Sequence, residues 1–183
     1  MTAIRNAVDG IANSRGRSDS HLLLGLALTA GAVVASALVA RRNAPTADNP
    51  EIKRLYDRLE QPDFKPPRQA FALVWPPLFM ALILSGLRVW NAPRSPARDQ
   101  ALGLWGAVQG LNALWMALGP GRLSAQLAAA VASATASLAY AWRARGVDAP
   151  AAGLVTPYLG WIGFANVLTE EVWRKNTPKP TIH

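Results

Sequence analysis

The chain has 183 residues, of which 51% are apolar and only 16% charged, against about 25% charged in ordinary soluble domains. That length suits one domain, and the apolar content excludes disorder over most of it. No cysteine is present, which excludes a disulfide scaffold, a thiolate nucleophile and a cysteine metal site; His21 and His183 lie too far apart in sequence to suggest a histidine zinc site.

The net charge is +8, but the charges cluster. Five windows, 20–40, 69–87, 100–121, 123–142 and 149–169, contain no Asp, Glu, Lys or Arg, and they are 21, 19, 22, 20 and 21 residues long. A helix needs roughly 20 mostly apolar residues to cross about 30 Å of hydrocarbon. The pattern therefore predicts an all-α integral membrane bundle of five transmembrane helices, in preference to a soluble helical bundle. Membrane lipid is the first partner. Nucleic acid is not expected, because eleven acidic residues interrupt the basic ones and the basic residues flank spans.

In chain order, residues 1–19 read as a polar N-terminal arm carrying Arg5, Arg15 and Arg17, expected to be mobile. The membrane domain is expected over 20–176, with a C-terminal tail over 177–183. The first span, Ser20 to Ala40, contains Ala35-Ser36-Ala37, a small-residue pattern of the secretory cleavage type. Arg41 and Arg42 follow at once and resist translocation, which favours a retained helix over a signal peptide. The long first loop, 41–68, holds a short amphipathic helix. Asn49 can cap it, Pro50 suits its first position, and Ile52, Leu55, Tyr56 and Leu59 share one face before Pro62 stops it. Pro62-Asp63-Phe64-Lys65-Pro66-Pro67 then runs extended. The remaining helices are expected at about 69–90, 100–118, 122–144 and 150–173, with short links that make consecutive helices antiparallel neighbours. Eleven Lys and Arg residues fall on the loop-one side and eight on the other, so the positive-inside rule puts the C-terminus in the cytoplasm.

Trp90, Trp142 and Trp173 stand at window ends beside arginines, where interfacial tryptophan is expected. Trp161 stands near mid-window, where its indole N–H needs a partner in a dry place or a ligand to face. Trp105, Gln109, Asn112 and Met116 align on one face of the third span. Gln109 and Asn112 can serve as interhelical hydrogen-bond partners or as polar anchors in a cavity. Tyr158, Trp161, Ala165 and Thr169 form a stripe on the fifth span, both aromatic and small, which suits a cavity wall. Gly106 and Gly110 form a small-xxx-small pair, a candidate helix contact or dimer face. Glu170 and Glu171 read as a solvated rim beside Arg174 and Lys175.

These residues resemble the TspO/MBR family of tryptophan-rich sensory and translocator proteins, also called peripheral benzodiazepine receptors. The resemblance covers about 54–176. Arg54-Leu55-Tyr56 is similar to the family's Arg-Trp-Tyr, and Gln61-Pro62-Asp63-Phe64-Lys65-Pro66-Pro67 to its Lys-Pro-x-Trp-x-Pro-Pro. Val74-Trp75 and Val89-Trp90 match the entry and exit of the second span. Gln109 to Trp115 matches Gln-x-x-Asn-x-x-Trp, and Pro157-Tyr158-Leu159-Gly160-Trp161 with Phe164-Ala165 matches the fifth-span signature. Phe64, Gln61 and Gln69 depart from the usual loop tryptophan, lysine and second tryptophan, and Thr169 from a common asparagine.

The resemblance implies a five-helix bundle, often a homodimer, with a cavity closed by the first loop. It implies tetrapyrrole or porphyrin binding, in some members sterol-like ligands, and a role in transport or sensing. No cofactor is required, although a porphyrin- or haem-type ligand fits. The resemblance carries Tyr56, Trp75, Asn112, Trp161 and Ala165 over as cavity lining. Phe64 as the loop's aromatic face, Gln109 from the polar face and Tyr158 from the stripe complete the candidate binding set, with no metal ligand among them. If the protein is an enzyme, the implied activity is light-dependent porphyrin breakdown at Trp75 and Trp161. A lipid-filled scaffold is the remaining alternative. Leu138 to Arg143 fits a loose cholesterol pattern. The Ala- and Arg-rich composition suits a bacterial cell (inner) membrane.

Overall fold

The computed structural model describes residues 2–46 and 48–177. Within them lie seven helices: α1 (Thr2–Ala12), α2 (Asp19–Arg42), α3 (Pro50–Arg58), α4 (Arg68–Asn91), α5 (Pro96–Leu118), α6 (Leu123–Arg145) and α7 (Ala149–Asn176). α2, α4, α5, α6 and α7 are long and apolar enough to cross a membrane, and they coincide with the five uncharged windows. α3 is the expected loop helix. The expected tail, apart from Thr177, lies outside the described residues.

Local chemistry sets the ends. Ser18 Oγ accepts the His21 N–H at the start of α2, Ser95 Oγ that of Arg98 at the start of α5, and Asp148 Oδ1 that of Ala151 at the start of α7. The Ser95-Pro96 start carries α5 about one turn ahead of its uncharged window. Asn49 behaves differently from expectation. Its side chain makes no cap for α3 and instead donates to the last carbonyls of α2, Arg41 O and Arg42 O, both at 3.2 Å. Four orphan carbonyls end every helix, and α2 has no glycine to satisfy its own. Asn43 does the same for α5, donating to Met116 O at 2.7 Å and Ala117 O at 3.0 Å.

The spans close a ring. α2 packs on α4 and α5, α5 on α6, α6 on α7, and α7 on α4, while α4 and α5 also touch. Trp105 makes that last contact. Its indole lies against Gly86, where an added Cβ would come within 2.6 Å of the ring, and donates to Leu82 O at 3.0 Å. Glycine is required there because the indole occupies the space of a side chain.

The polarity of the bundle is that of a membrane protein. Leu23, Leu28, Leu38, Leu73, Met80 and Val167 are exposed on the outside. Ser85, Gln109, Asn112, Ser133 and Ser137 are buried within. A soluble bundle would reverse this arrangement; in lipid the outer face must be apolar, and buried polar groups must pair with one another. Tyr140, wholly buried, pairs with Ser85 at 2.6 Å, and Ser85 donates to Ala151 O at 2.8 Å. This removes the tyrosine of the loose cholesterol pattern from the lipid face.

The N-terminal arm is helical and tied down. Arg88, at the end of α4, donates from one terminal nitrogen to Gly10 O and Ile11 O (2.7 and 2.6 Å), and pairs with both carboxylate oxygens of Asp148 (2.8 and 3.0 Å). Asn91 Nδ2 donates to Ala12 O at 2.9 Å, and Arg17 Nε donates back to Asn91 O at 2.8 Å. Asn13 takes the left-handed φ of 53° that ends α1. Trp90, expected in an interfacial belt, belongs to this end too. It stacks on His21 (5.3 Å), donates to His21 O at 3.2 Å and lies under the Arg98 guanidinium.

Candidate functional site

A cavity of about 210 Å³ opens at the other end of the bundle, where α3 and the 59–65 stretch cross its mouth. Four spans and the loop wall it. Phe71 and Trp75 come from α4, Trp115 and Met116 from α5, Leu123 and Gln126 from α6, and Trp161, Ala165, Leu168, Thr169 and Val172 from α7. Tyr56, Leu59, Gln61 and Lys65 come from the loop.

The aromatic wall is interlocked. Trp75 and Trp161 meet edge to face with centroids 6.3 Å apart, Phe71 meets Trp161 at 5.5 Å, and Trp161 contacts Phe164 at 5.6 Å. In the edge-to-face pairs each ring is oriented by its neighbour's quadrupole. The indole nitrogens of Trp115 and Trp161 are buried without a hydrogen-bond partner. An unpaired buried donor costs about 1–3 kcal/mol, so both indoles are held at a cost to the fold.

The candidate residues fall into two groups. Tyr56, Trp75, Trp161 and Ala165 line the cavity. Gln109, Asn112 and Tyr158 lie outside its lining, buried in the bundle: Asn112 Oδ1 accepts from Tyr158 Oη at 2.7 Å and from Ser133 Oγ at 2.8 Å. The groups are adjacent, since Asn112 precedes Trp115 and Tyr158 precedes Trp161 by one helical turn. The amide nitrogens of Gln109 and Asn112 have no partner. Phe64 sits on the loop, half exposed, with its ring edge-on to Phe164 at 6.4 Å. Sequence reasoning missed Phe71, Trp115, Lys65 and Gln126 as wall residues. For Trp115 the signal was present, three residues after Asn112 on the same face.

Two ionisable groups stand at the mouth. Partial burial pushes the Tyr56 phenol up from its ordinary value, and a hydrogen bond with Gln126 partly offsets this. Partial burial, then the neighbouring Arg68, lower the Lys65 ammonium, while Asp57 opposes the shift. Lys65 is the cation in the wall, able to pair with an anionic substituent. Among the described residues no group of three His, Cys, Asp or Glu could hold a metal.

The cover over the mouth is lightly held. α3 has no buried residue. Its following segment is latched to the end of α7: Glu60 N–H donates to Asn176 Oδ1 at 2.8 Å, Asn176 Nδ2 donates to Glu60 O at 2.9 Å, and Lys175 pairs with Glu60 at 3.3 Å.

Five spans in a ring, with polar seams inside and an aromatic cavity under the first loop, define a polytopic membrane protein with an enclosed site at one end. The chain matches the TspO/MBR family over residues 25–174. It is 32% identical over 132 residues to the translocator protein of Ovis aries, covering 67% of this chain and 75% of that one. It is 32% identical over 127 residues to the tryptophan-rich sensory protein of Cereibacter sphaeroides, with 68% and 78% covered. To the translocator protein of Homo sapiens it is 30% identical over 129 residues, with 67% and 75% covered. The chain belongs to the TspO/MBR family, and that membership points to a receptor or transport role in a membrane.

Proposed function

We propose that the protein binds porphyrins and related tetrapyrroles in the cavity under its first loop, and acts in their transport or sensing. The wall carries this reading: Trp75, Trp115 and Trp161 with Phe71 offer faces and edges to a flat ring. Lys65 at the mouth suits a propionate, which sterol-like ligands lack. The cavity, at about 210 Å³, is below the roughly 300–1,000 Å³ of pockets for drug-sized ligands, so a tetrapyrrole enters by lifting the loop.

The test is titration of the detergent-solubilised protein with protoporphyrin IX. Saturable binding weakened about tenfold in Trp161→Ala is expected, as for loss of one aromatic contact and part of its buried area. Equal affinity would refute the cavity assignment. Binding no better than to empty micelles would favour a lipid-filled scaffold.

The Trp75–Trp161 pair, 6.3 Å apart in the wall, supports a second reading as a light-dependent porphyrin-degrading enzyme. Illuminating the complex decides it: loss of porphyrin absorbance at the same rate in Trp75→Phe, or for free porphyrin, eliminates that activity. A homodimer is part of the proposal, supported by the exposed Gly103, Gly106 and Gly110 on α5, where an added Cβ would meet nothing within 4 Å. A bacterial cell membrane with the C-terminus in the cytoplasm completes it, on the composition and on the balance of eleven against eight basic residues.

A further inference from the structure

At the end of the bundle opposite the cavity, α6 carries a basic groove at the boundary of the spans. On its outer face Val131, Thr135, Leu138 and Trp142 are exposed at helical spacing, a largely apolar stripe that climbs to the last turn. Trp142 is 80% exposed. Beside it opens a groove of about 440 Å³ lined by Trp142, Arg143, Arg145 and Gly146. Among the described residues neither arginine forms an ion pair. Arg143 Nε is shut off from solvent and has no hydrogen-bond partner.

A helix C-terminus favours basic residues through its dipole, which accounts for their charge. It does not account for a groove walled by an indole beside two arginines that form no ion pair among the described residues. Arg143 and Arg145 both border the groove, and phosphate oxygens fit the guanidinium fork. The depth is also right, since tryptophan rings settle at the headgroup level of a bilayer.

We propose that this groove binds the phosphate of an anionic phospholipid, with the acyl chains laid along the Val131–Leu138–Trp142 stripe. The anion chemistry alone would serve a soluble phosphate ester equally; the stripe leading into the groove assigns it to lipid. The site is independent of the cavity under the first loop.

The experiment uses the full chain in a neutral detergent. Dioctanoyl phosphatidylglycerol, dioctanoyl phosphatidylcholine and glycerol 3-phosphate are titrated separately, and bound copies are counted by native mass spectrometry. One phosphatidylglycerol retained in preference to phosphatidylcholine is expected. Its affinity should fall about fivefold for each arginine removed in Arg143→Gln and Arg145→Gln. Arg94→Gln, an exposed arginine between α4 and α5, should change nothing. Equal retention of the two lipids, or wild-type binding by the double variant, overturns the proposal. So does an equal loss in Arg94→Gln, which would mean diffuse attraction. Displacement by glycerol 3-phosphate at equal concentration overturns the lipid assignment in favour of a soluble phosphate ester. Arg145 is exposed, so the single Arg145→Gln keeps the test valid if the double variant fails to fold.

Discussion

Asn176→Ala should open the cavity's cover. Asn176 exchanges two hydrogen bonds with the backbone of Glu60, at 2.8 and 2.9 Å, and these join the loop to α7. Each is worth about 0.5–1.5 kcal/mol net, less at a wet edge, so losing both costs the closed state about 1–2 kcal/mol. The Lys175–Glu60 pair is exposed on the glutamate side and adds about 0–1 kcal/mol, too little to hold the loop alone. At about 1.4 kcal/mol per factor of ten, the open fraction rises roughly five- to thirtyfold. Because the closed cavity is too small for a tetrapyrrole, the latch is broken in the complex as well. The variant therefore avoids the cost of breaking it on binding. Association should accelerate and apparent affinity tighten by that same factor, while the open state stays a minority. Stopped-flow quenching of tryptophan fluorescence by protoporphyrin IX reads both. An unchanged association rate with unchanged affinity would show that this loop does not gate the cavity. Faster association matched by equally faster dissociation would show that the loop recloses over its ligand, and the size argument would fail.

Other expectations follow from the packing. Gly86→Ala pushes the Trp105 indole off its seat and breaks its bond to Leu82 O, costing about 1–3 kcal/mol; an unshifted melting temperature in detergent would contradict this. Asp148→Ala leaves the buried Arg88 charge without its carboxylate and α7 without its cap, costing about 3–5 kcal/mol in thermal unfolding. Lys65 titrates below its ordinary 10.5, so its charge is lost as pH rises through the lowered value. Affinity for a carboxylated porphyrin should fall across that window, while affinity for its methyl ester stays flat. In the same window the unfolded chain binds this proton more tightly than the folded one, so Lys65 makes stability rise with pH. Lys65→Met should remove the pH dependence of porphyrin binding, measured by fluorescence titration.

The spans were legible because their signal is local: uncharged runs of crossing length need no partner to be recognised. The loop helix was legible for the same reason, since Pro50 and the spacing of Ile52, Leu55, Tyr56 and Leu59 lie within a single turn or two. α1 was not. Its last carbonyls are satisfied by Arg88 and Asn91, more than seventy residues away, and nothing in the polar arm announces them. Asn49 misled because an asparagine before Pro50 is a good cap by sequence, yet the carbonyls of α2 reach its amide first. The cavity was half legible. Trp161 stands out by depth, Ala165 by its stripe, and Tyr56 and Trp75 by family pattern. Lys65 and Gln126 face the same space only because separate segments converge there. Asn112 and Tyr158 are buried and spend their polarity on each other, one turn from the wall.

The knot around Arg88 makes the two ends of the molecule unequal. One guanidinium gathers the first helix, the fourth and the cap of the seventh, so shortening the chain ahead of Ser18 strips two acceptors from a cation that has little water to turn to. A truncated protein would be heat-sensitive although the cavity under the first loop, at the far pole, had lost no atom. Reporter dyes and affinity handles are therefore better attached beyond Thr177 than before Arg5.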